Sequence, residues 1–214
     1  MSILDLQALQ AAPLEIDPFD YLVVPNFLRP EALEAINRDY PKITNPRNFN
    51  PKELSFGPSF QTLLDELNDP AFAKIVADKF GVDLSKTPSI ITVRKYCEAS
   101  DGHIHTDHWT KIITVLIYFN SEWTHDGGQL RLLRSKNDIE DYAKEVPPLR
   151  GTLLSFRRSN HSFHGHKSFV GERRMLQMSW IRPNKMAQSL QKLARFSTHA
   201  VKRLAQARQH TENL

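Results

Sequence analysis

The chain has 214 residues, 40% hydrophobic and 24% charged, proportions that fit one domain with a sizeable core and exclude a disordered chain. Its single cysteine, Cys97, excludes an intramolecular disulfide, a zinc site built from several thiolates and CxxC redox chemistry. The formal net charge of +4 is concentrated after Ile181, where Arg182, Lys185, Lys192, Arg195, Lys202, Arg203 and Arg208 face Glu212 alone, so the near-neutral body does not call for a nucleic-acid partner.

Residues 1–20 are weakly patterned and read as a short helix or an arm. They lack the basic and apolar runs of a secretory signal, and no apolar stretch approaches the ~18 residues of a membrane span, so a cytoplasmic location is expected. Tyr21–Leu28 reads as a strand closed by Pro30, which then opens a helix running to about Tyr40 with Glu31 and Glu34 in its first turns. Residues 41–58, with four prolines, form a long loop of the kind that often serves function. Helices are expected over Phe60–Leu67 and Pro70–Phe80, the second stopped by Gly81.

From Ser89 the hydrophobic period changes from helical to alternating. Strands are expected over Ile90–Tyr96, Lys111–Phe119, Gln129–Leu133, Gly151–Phe156 and Arg173–Ile181, with a short helix over Asp138–Lys144. Helices first and strands afterwards argue an α+β fold with a β-sandwich or barrel. Residues 184–208 contain no proline or glycine and carry an imperfect apolar stripe between basic residues. They read as a basic C-terminal helix packed on the core, with contact to a partner or an anionic membrane surface as the alternative.

Seven of the nine histidines fall between His103 and His166. In an extended segment residues two apart point to one side, so His105 and Asp107 converge while Thr106 faces away. A third ligand must come from elsewhere, and His161, His164 and His166 are the candidates. Two neutral imidazoles and a carboxylate on one face leave coordination positions open, which favours Fe(II) and oxygen chemistry over a closed structural zinc site. His103 and His108 flank the motif and read as solvated or supporting groups.

The order of features around this motif resembles the 2-oxoglutarate/Fe(II)-dependent oxygenase superfamily, in particular its prolyl 4-hydroxylase-like branch. The resemblance runs from about Tyr21 to Trp180. Tyr96 stands nine residues before His105; Lys111–Asn120 is followed by Trp123 and Gly127-Gly128-Gln129-Leu130; Pro148–Phe156 leads to His164; Arg174 lies ten residues beyond His164, and Trp180 six beyond Arg174. The resemblance implies a double-stranded β-helix (jelly-roll, cupin-like) core over 89–183, supported by the strand and helices of 1–88 and followed by the helix of 184–214, all within one domain. It implies a dioxygenase that takes Fe(II), 2-oxoglutarate and O2, with ascorbate as an additional reductant, and couples C–H hydroxylation to succinate and CO2. His105, Asp107 and His164 would hold the metal, and Arg174 with Tyr96 the distal carboxylate of 2-oxoglutarate. Arg173 is the rival to Arg174, since alternation lets only one of them face the pocket. Arg94 is expected to share the face of Tyr96. Asp107 argues against halogenation, which needs that ligand position vacant. A small molecule or a sugar is the expected substrate and a protein side chain of prolyl type the second, with the 41–58 loop and the 121–128 turn setting the choice. Another metal-dependent cupin-like enzyme and a non-catalytic binding module are the rival readings.

Overall fold

The computed structural model describes residues 2–183, and the basic helix expected over 184–214 lies outside them. The chain opens with α1 (Leu6–Ala11), whose first turn is capped by the Asp5 carboxylate accepting from the Ala8 amide at 2.9 Å. Strand β1 (Tyr21–Val24) follows. It ends earlier than the apolar run suggests, because Pro25 has no amide to continue pairing and Asn26 turns the chain with φ 52°. Helices α2 (Pro30–Arg38), α3 (Pro58–Asn68) and α4 (Pro70–Phe80) each begin on a proline, where the missing N–H costs nothing. Asp69 ends α3 and caps α4 by accepting from the Ala71 amide, and Gly81 stops α4 in the left-handed region with φ 58°.

Seven strands complete the fold: β2 (Ser89–Cys97), β3 (Lys111–Tyr118), β4 (Leu130–Leu133), β5 (Tyr142–Val146), β6 (Leu153–Arg157), β7 (His164–Gly165) and β8 (Gly171–Ile181). Together with β1 they form a five-stranded sheet in the order β1-β6-β3-β8-β2 and a three-stranded sheet in the order β5-β4-β7, with every pairing antiparallel. The arrangement is consistent with a jelly roll. Strand β5 replaces the helix expected near Asp138–Lys144. The segment has helix-forming residues, but its backbone pairs with β4, and Arg131 on β4 binds both Glu145 and Glu140, so tertiary pairing overrides local propensity.

Alternation along the large sheet divides its two faces. On β3 and β8, Ile113, Val115, Ile117, Leu176, Met178 and Trp180 pack against the helices in one apolar cluster. Leu116, Tyr118 and Met175 point the other way and meet Leu130 and Leu132 of β4 and Val146 of β5 in a second cluster between the sheets. The helical layer thus seals the outer face of the large sheet, and the inner face is left to build a site. Among the described residues no helix is long and apolar enough to cross a membrane.

Trp180 is 2% exposed, with its ring 6.1 Å from that of Phe72 on α4. Truncating it leaves a large cavity where helices meet sheet, so Trp180→Ala should lower the unfolding free energy by about 3–5 kcal/mol in urea denaturation.

Candidate metal centre

His105 and His164, 59 residues apart in the chain, meet as an antiparallel bridge. The His105 amide donates to the His164 carbonyl at 3.0 Å, and the His164 amide returns a bond of 2.9 Å. Paired residues in an antiparallel bridge point to one side, so the imidazoles lie together with ring centroids 4.4 Å apart. The bridge continues to Gly102, whose carbonyl accepts from the His166 amide at 2.9 Å. A side chain at Gly102, where φ is 93°, would collide with the His166 ring, so this close approach requires glycine. Asp107 arrives by the two-residue period. One ligand atom from each of His105, Asp107 and His164 lies within 4.8 Å of the others.

The donors suit a divalent metal. His105 Nδ1 lies 2.8 Å from the His103 carbonyl, and His164 Nδ1 lies 3.0 Å from that of Ser162. A carbonyl only accepts, so each Nδ1 carries the proton and each Nε2 keeps its lone pair for a ligand bond. The Asp107 carboxylate is positioned by Lys111 Nζ and Thr114 Oγ1, each at 2.5 Å. Burial alone would raise its pKa, but the charge of Lys111, that of His164 once acid protonates it, and the hydrogen bonds from Lys111 and Thr114 outweigh burial and hold it below the usual carboxylate range. Burial, with repulsion from His105, pushes His164 down to about 4. Its imidazole is therefore neutral at physiological pH, the state a metal needs.

The histidine cluster opens on a cavity of about 210 Å³ lined by Leu116, Leu130, Phe156, Met175, Gln177 and Arg173, among others. Arg173 is 3% exposed. Its guanidinium donates to the Gly128 carbonyl at 2.7 Å and lies against Tyr118, and no carboxylate pairs with it among the described residues. Arg174 faces the opposite way, bonded to Glu172 and to Asn37 on α2, with its guanidinium over the Tyr40 ring. The expectation that Arg174 would reach the cavity is therefore corrected in favour of Arg173, which shares the inward row of Met175 and Gln177 on β8.

Tyr96 is also turned away. Arg94 pairs with Met175 but Tyr96 with Glu172, so Arg173 and Arg174 both oppose the single residue Lys95. This bulge shifts the register by one residue, and a one-residue shift exchanges the faces. Arg94 and Cys97 line the cavity, whereas Tyr96 sits beside Lys95 on the other side. The expectation that Arg94 and Tyr96 share a face fails for the same reason.

His166 lines the cavity, pushed down to about 4 by burial and by the charge of Arg173, with Nδ1 2.8 Å from the Lys167 carbonyl. His161, His103 and His108 are exposed. Trp123, His125 and Asp126 are absent from the cavity wall. The first two pack with Phe169 at the turn that presents Gly128 to Arg173. Asn48, from the 41–58 loop, does reach the wall. Its neighbour Phe49 exchanges backbone bonds of 2.9 and 2.8 Å with Val93, so the loop is tied to the edge of the large sheet. Sequence reasoning gave Asn48, Gln177 and Thr114 no role, and their polarity alone offered no signal.

The model of the 2OG-Fe(II) oxygenase superfamily matches residues 91–182. No curated protein matches the chain. Among solved structures, a Pseudomonas putida prolyl-4-hydroxylase superposes with a TM-score of 0.56 at 16% identity, covering 84% of this chain and 97% of that one. A Phytophthora capsici prolyl 4-hydroxylase gives 0.54 at 15% identity, covering 78% and 60%. The 2OG complex of a collagen prolyl hydroxylase from Paramecium Bursaria Chlorella virus-1 gives 0.51 at 16% identity, covering 79% and 99%.

The depressed histidines predict an acid sensitivity. Between the ordinary value of 6.5 and about 4, the unfolded chain binds protons at positions 164 and 166 that the folded chain does not. Stability is thus intact above pH 6.5 and falls as pH drops toward 4, by up to about 1.4 kcal/mol per pH unit for each group. Urea denaturation of the metal-free protein at pH 7, 6 and 5 should show this slope, and His166→Gln should flatten it.

Proposed function

We propose that this chain is a 2-oxoglutarate-dependent dioxygenase of the 2OG-Fe(II) oxygenase superfamily, whose model matches residues 91–182, and that it hydroxylates a C–H bond of a small organic molecule, a sugar included, with His105, Asp107 and His164 as the metal ligands and Arg173 as the anchor of the co-substrate. Fe(II) and 2-oxoglutarate bound together would supply an oxidant strong enough to take hydrogen from an unactivated carbon, with succinate and CO2 as co-products.

One observation carries the assignment of Arg173: a buried guanidinium without a carboxylate partner among the described residues, in the cavity that opens from the three donors. Burying a charge is costly unless it is paired. A dicarboxylate reaching in from the metal would supply the partner, and the planar fork of arginine suits a carboxylate. The Gly128 carbonyl and Tyr118 hold that fork in place, while Leu116, Leu130, Phe156 and Met175 keep the walls apolar and exclude water. The same cation disfavours the cupin-like alternatives, which need none at the far end. His105, Asp107 and His164 would hold the metal, and Arg173 the far carboxylate of the co-substrate.

The small-molecule reading is supported by the 41–58 loop. Asn48 reaches the cavity wall, and the bonds from Phe49 to Val93 and from Arg94 to the Pro46 carbonyl tie that loop down. The second reading, hydroxylation of a protein side chain, is favoured by the fold: a Trichoplax adhaerens prolyl hydroxylase of similar fold, with a TM-score of 0.50, was solved with a peptide fragment of hypoxia inducible factor.

Anaerobic addition of Fe(II) and 2-oxoglutarate should produce the weak visible charge-transfer band of their chelate. Its absence, together with no protection against unfolding by 2-oxoglutarate, would overturn the proposal. His105→Ala and Asp107→Ala should each abolish succinate formation in a folded protein, and turnover retained by either would remove that residue from the ligand set. Arg173→Ala should raise the 2-oxoglutarate requirement by roughly tenfold or more, the scale of a lost charge-assisted pair of ~1.4 kcal/mol or above. Arg174→Ala should change it far less, and the reverse ranking would exchange the two residues.

A further inference from the structure

Along β6, Leu154 and Phe156 face the space between the sheets, and Phe156 lies 4.8 Å from the His164 ring. The next residue with that parity is Arg158. It is half-buried, and its Nε–H donates to the carbonyl of Asp107 at 3.1 Å. Arg182, exposed and just past the end of β8, makes a similar contact with the same loop, from Nε to the carbonyl of Trp109 at 3.1 Å. Both guanidiniums are thus oriented by their inner nitrogen, and neither is paired with a carboxylate among the described residues. Nearby arginines of the sheet are neutralised instead: Arg94 by Asp101, Arg157 by Asp20 and Arg174 by Glu172. Trp109, whose carbonyl receives the bond from Arg182, is 38% exposed and tilted against His108.

A half-buried guanidinium aimed but unpaired is an unmet demand for an anion, and an exposed indole beside it offers a flat surface to an unsaturated or ring-shaped group. We propose that Arg158, assisted by Arg182, anchors an oxyanion of the substrate, a carboxylate or a phosphate, while Trp109 packs against the substrate's body. The substrate class is then a small organic anion with a planar or cyclic portion. The bond from Arg158 to the Asp107 carbonyl ties this anion subsite to the backbone of a proposed metal ligand. This inference rests on the oxygenase reading of the site.

The test uses the full chain loaded anaerobically with Fe(II) and 2-oxoglutarate, so that Arg173 is occupied, and calorimetric titration with 2-naphthoate and its neutral counterpart 2-naphthamide. The carboxylate should bind about tenfold or more tighter than the amide, the worth of a charge-assisted pair. 2-Naphthyl phosphate in place of the carboxylate shows which oxyanion is preferred. Arg158→Gln should bring the naphthoate and naphthamide affinities together, whereas Arg158→Lys, which keeps the charge but loses the fork, should retain part of the difference. An arginine that only braced the loop would not move this ratio. Equal affinities in the unaltered protein, no measurable carboxylate or phosphate binding, or a preference that survives Arg158→Gln would each overturn the inference. The chelate band in the same samples separates the two claims: a band without anion preference sinks this inference alone, and anion preference without a band sinks the oxygenase reading.

Discussion

The site depends on one pair of backbone hydrogen bonds, those that join residues 105 and 164. Each side chain of the metal cluster is placed by this bridge or by a short count from it. Pairing sets the two imidazoles side by side, the two-residue period brings Asp107 to the same point, and the same period brings His166 to the cavity wall. The bridge forms because Gly102 lets the incoming segment press against His166, and because β7 is held in the small sheet by β4. A lateral shift of one residue would part the three side chains that now converge.

Around this frame the charges are distributed with economy. The Asp107 carboxylate is offset by Lys111 and held by Thr114, so it stays ionised although buried. His164 stays neutral because burial disfavours its charge. Arg173 differs from both: its contacts orient it without a carboxylate partner among the described residues, so the inner face of the large sheet has a cation at one end and a neutral-to-acidic donor set at the other. A dicarboxylate that chelates a metal matches that polarity in direction. Near the loop of residues 107–110, Arg158 and Arg182 are likewise oriented by backbone carbonyls with no carboxylate partner among the described residues.

The helical layer contributes indirectly. α2, α3 and α4 cover the outer face of the large sheet with a continuous apolar cluster, which releases the inner face from structural duty. Polar residues such as Thr114, Gln177 and Ser179 can then occupy positions that a two-sided core would fill with hydrocarbon. The bulge between β2 and β8 serves the same end. It turns Tyr96 outward and brings Cys97 and Arg173 inward, and bulges commonly re-aim side chains beside active sites.

Much of this was legible in the residues alone. Helices with proline starts and glycine stops, strands with period two, and the convergence of His105 and Asp107 all follow from short-range geometry, in which each residue's direction is set by its near neighbours. The spacing from Phe156 to His164 pointed to the third donor by resemblance. What only the tertiary structure decided was parity and pairing across strands. Arg173 rather than Arg174 faces the cavity, and Tyr96 does not, because an extra residue opposite Lys95 changes the register, and a register is a property of two strands that neither strand's own sequence records. Residues 142–146 became a strand because the edge of β4 was available to pair with, and Asn48 met the cavity because its loop found Val93. Local periodicity determines which side chains travel together; long-range hydrogen bonding determines which side they arrive on.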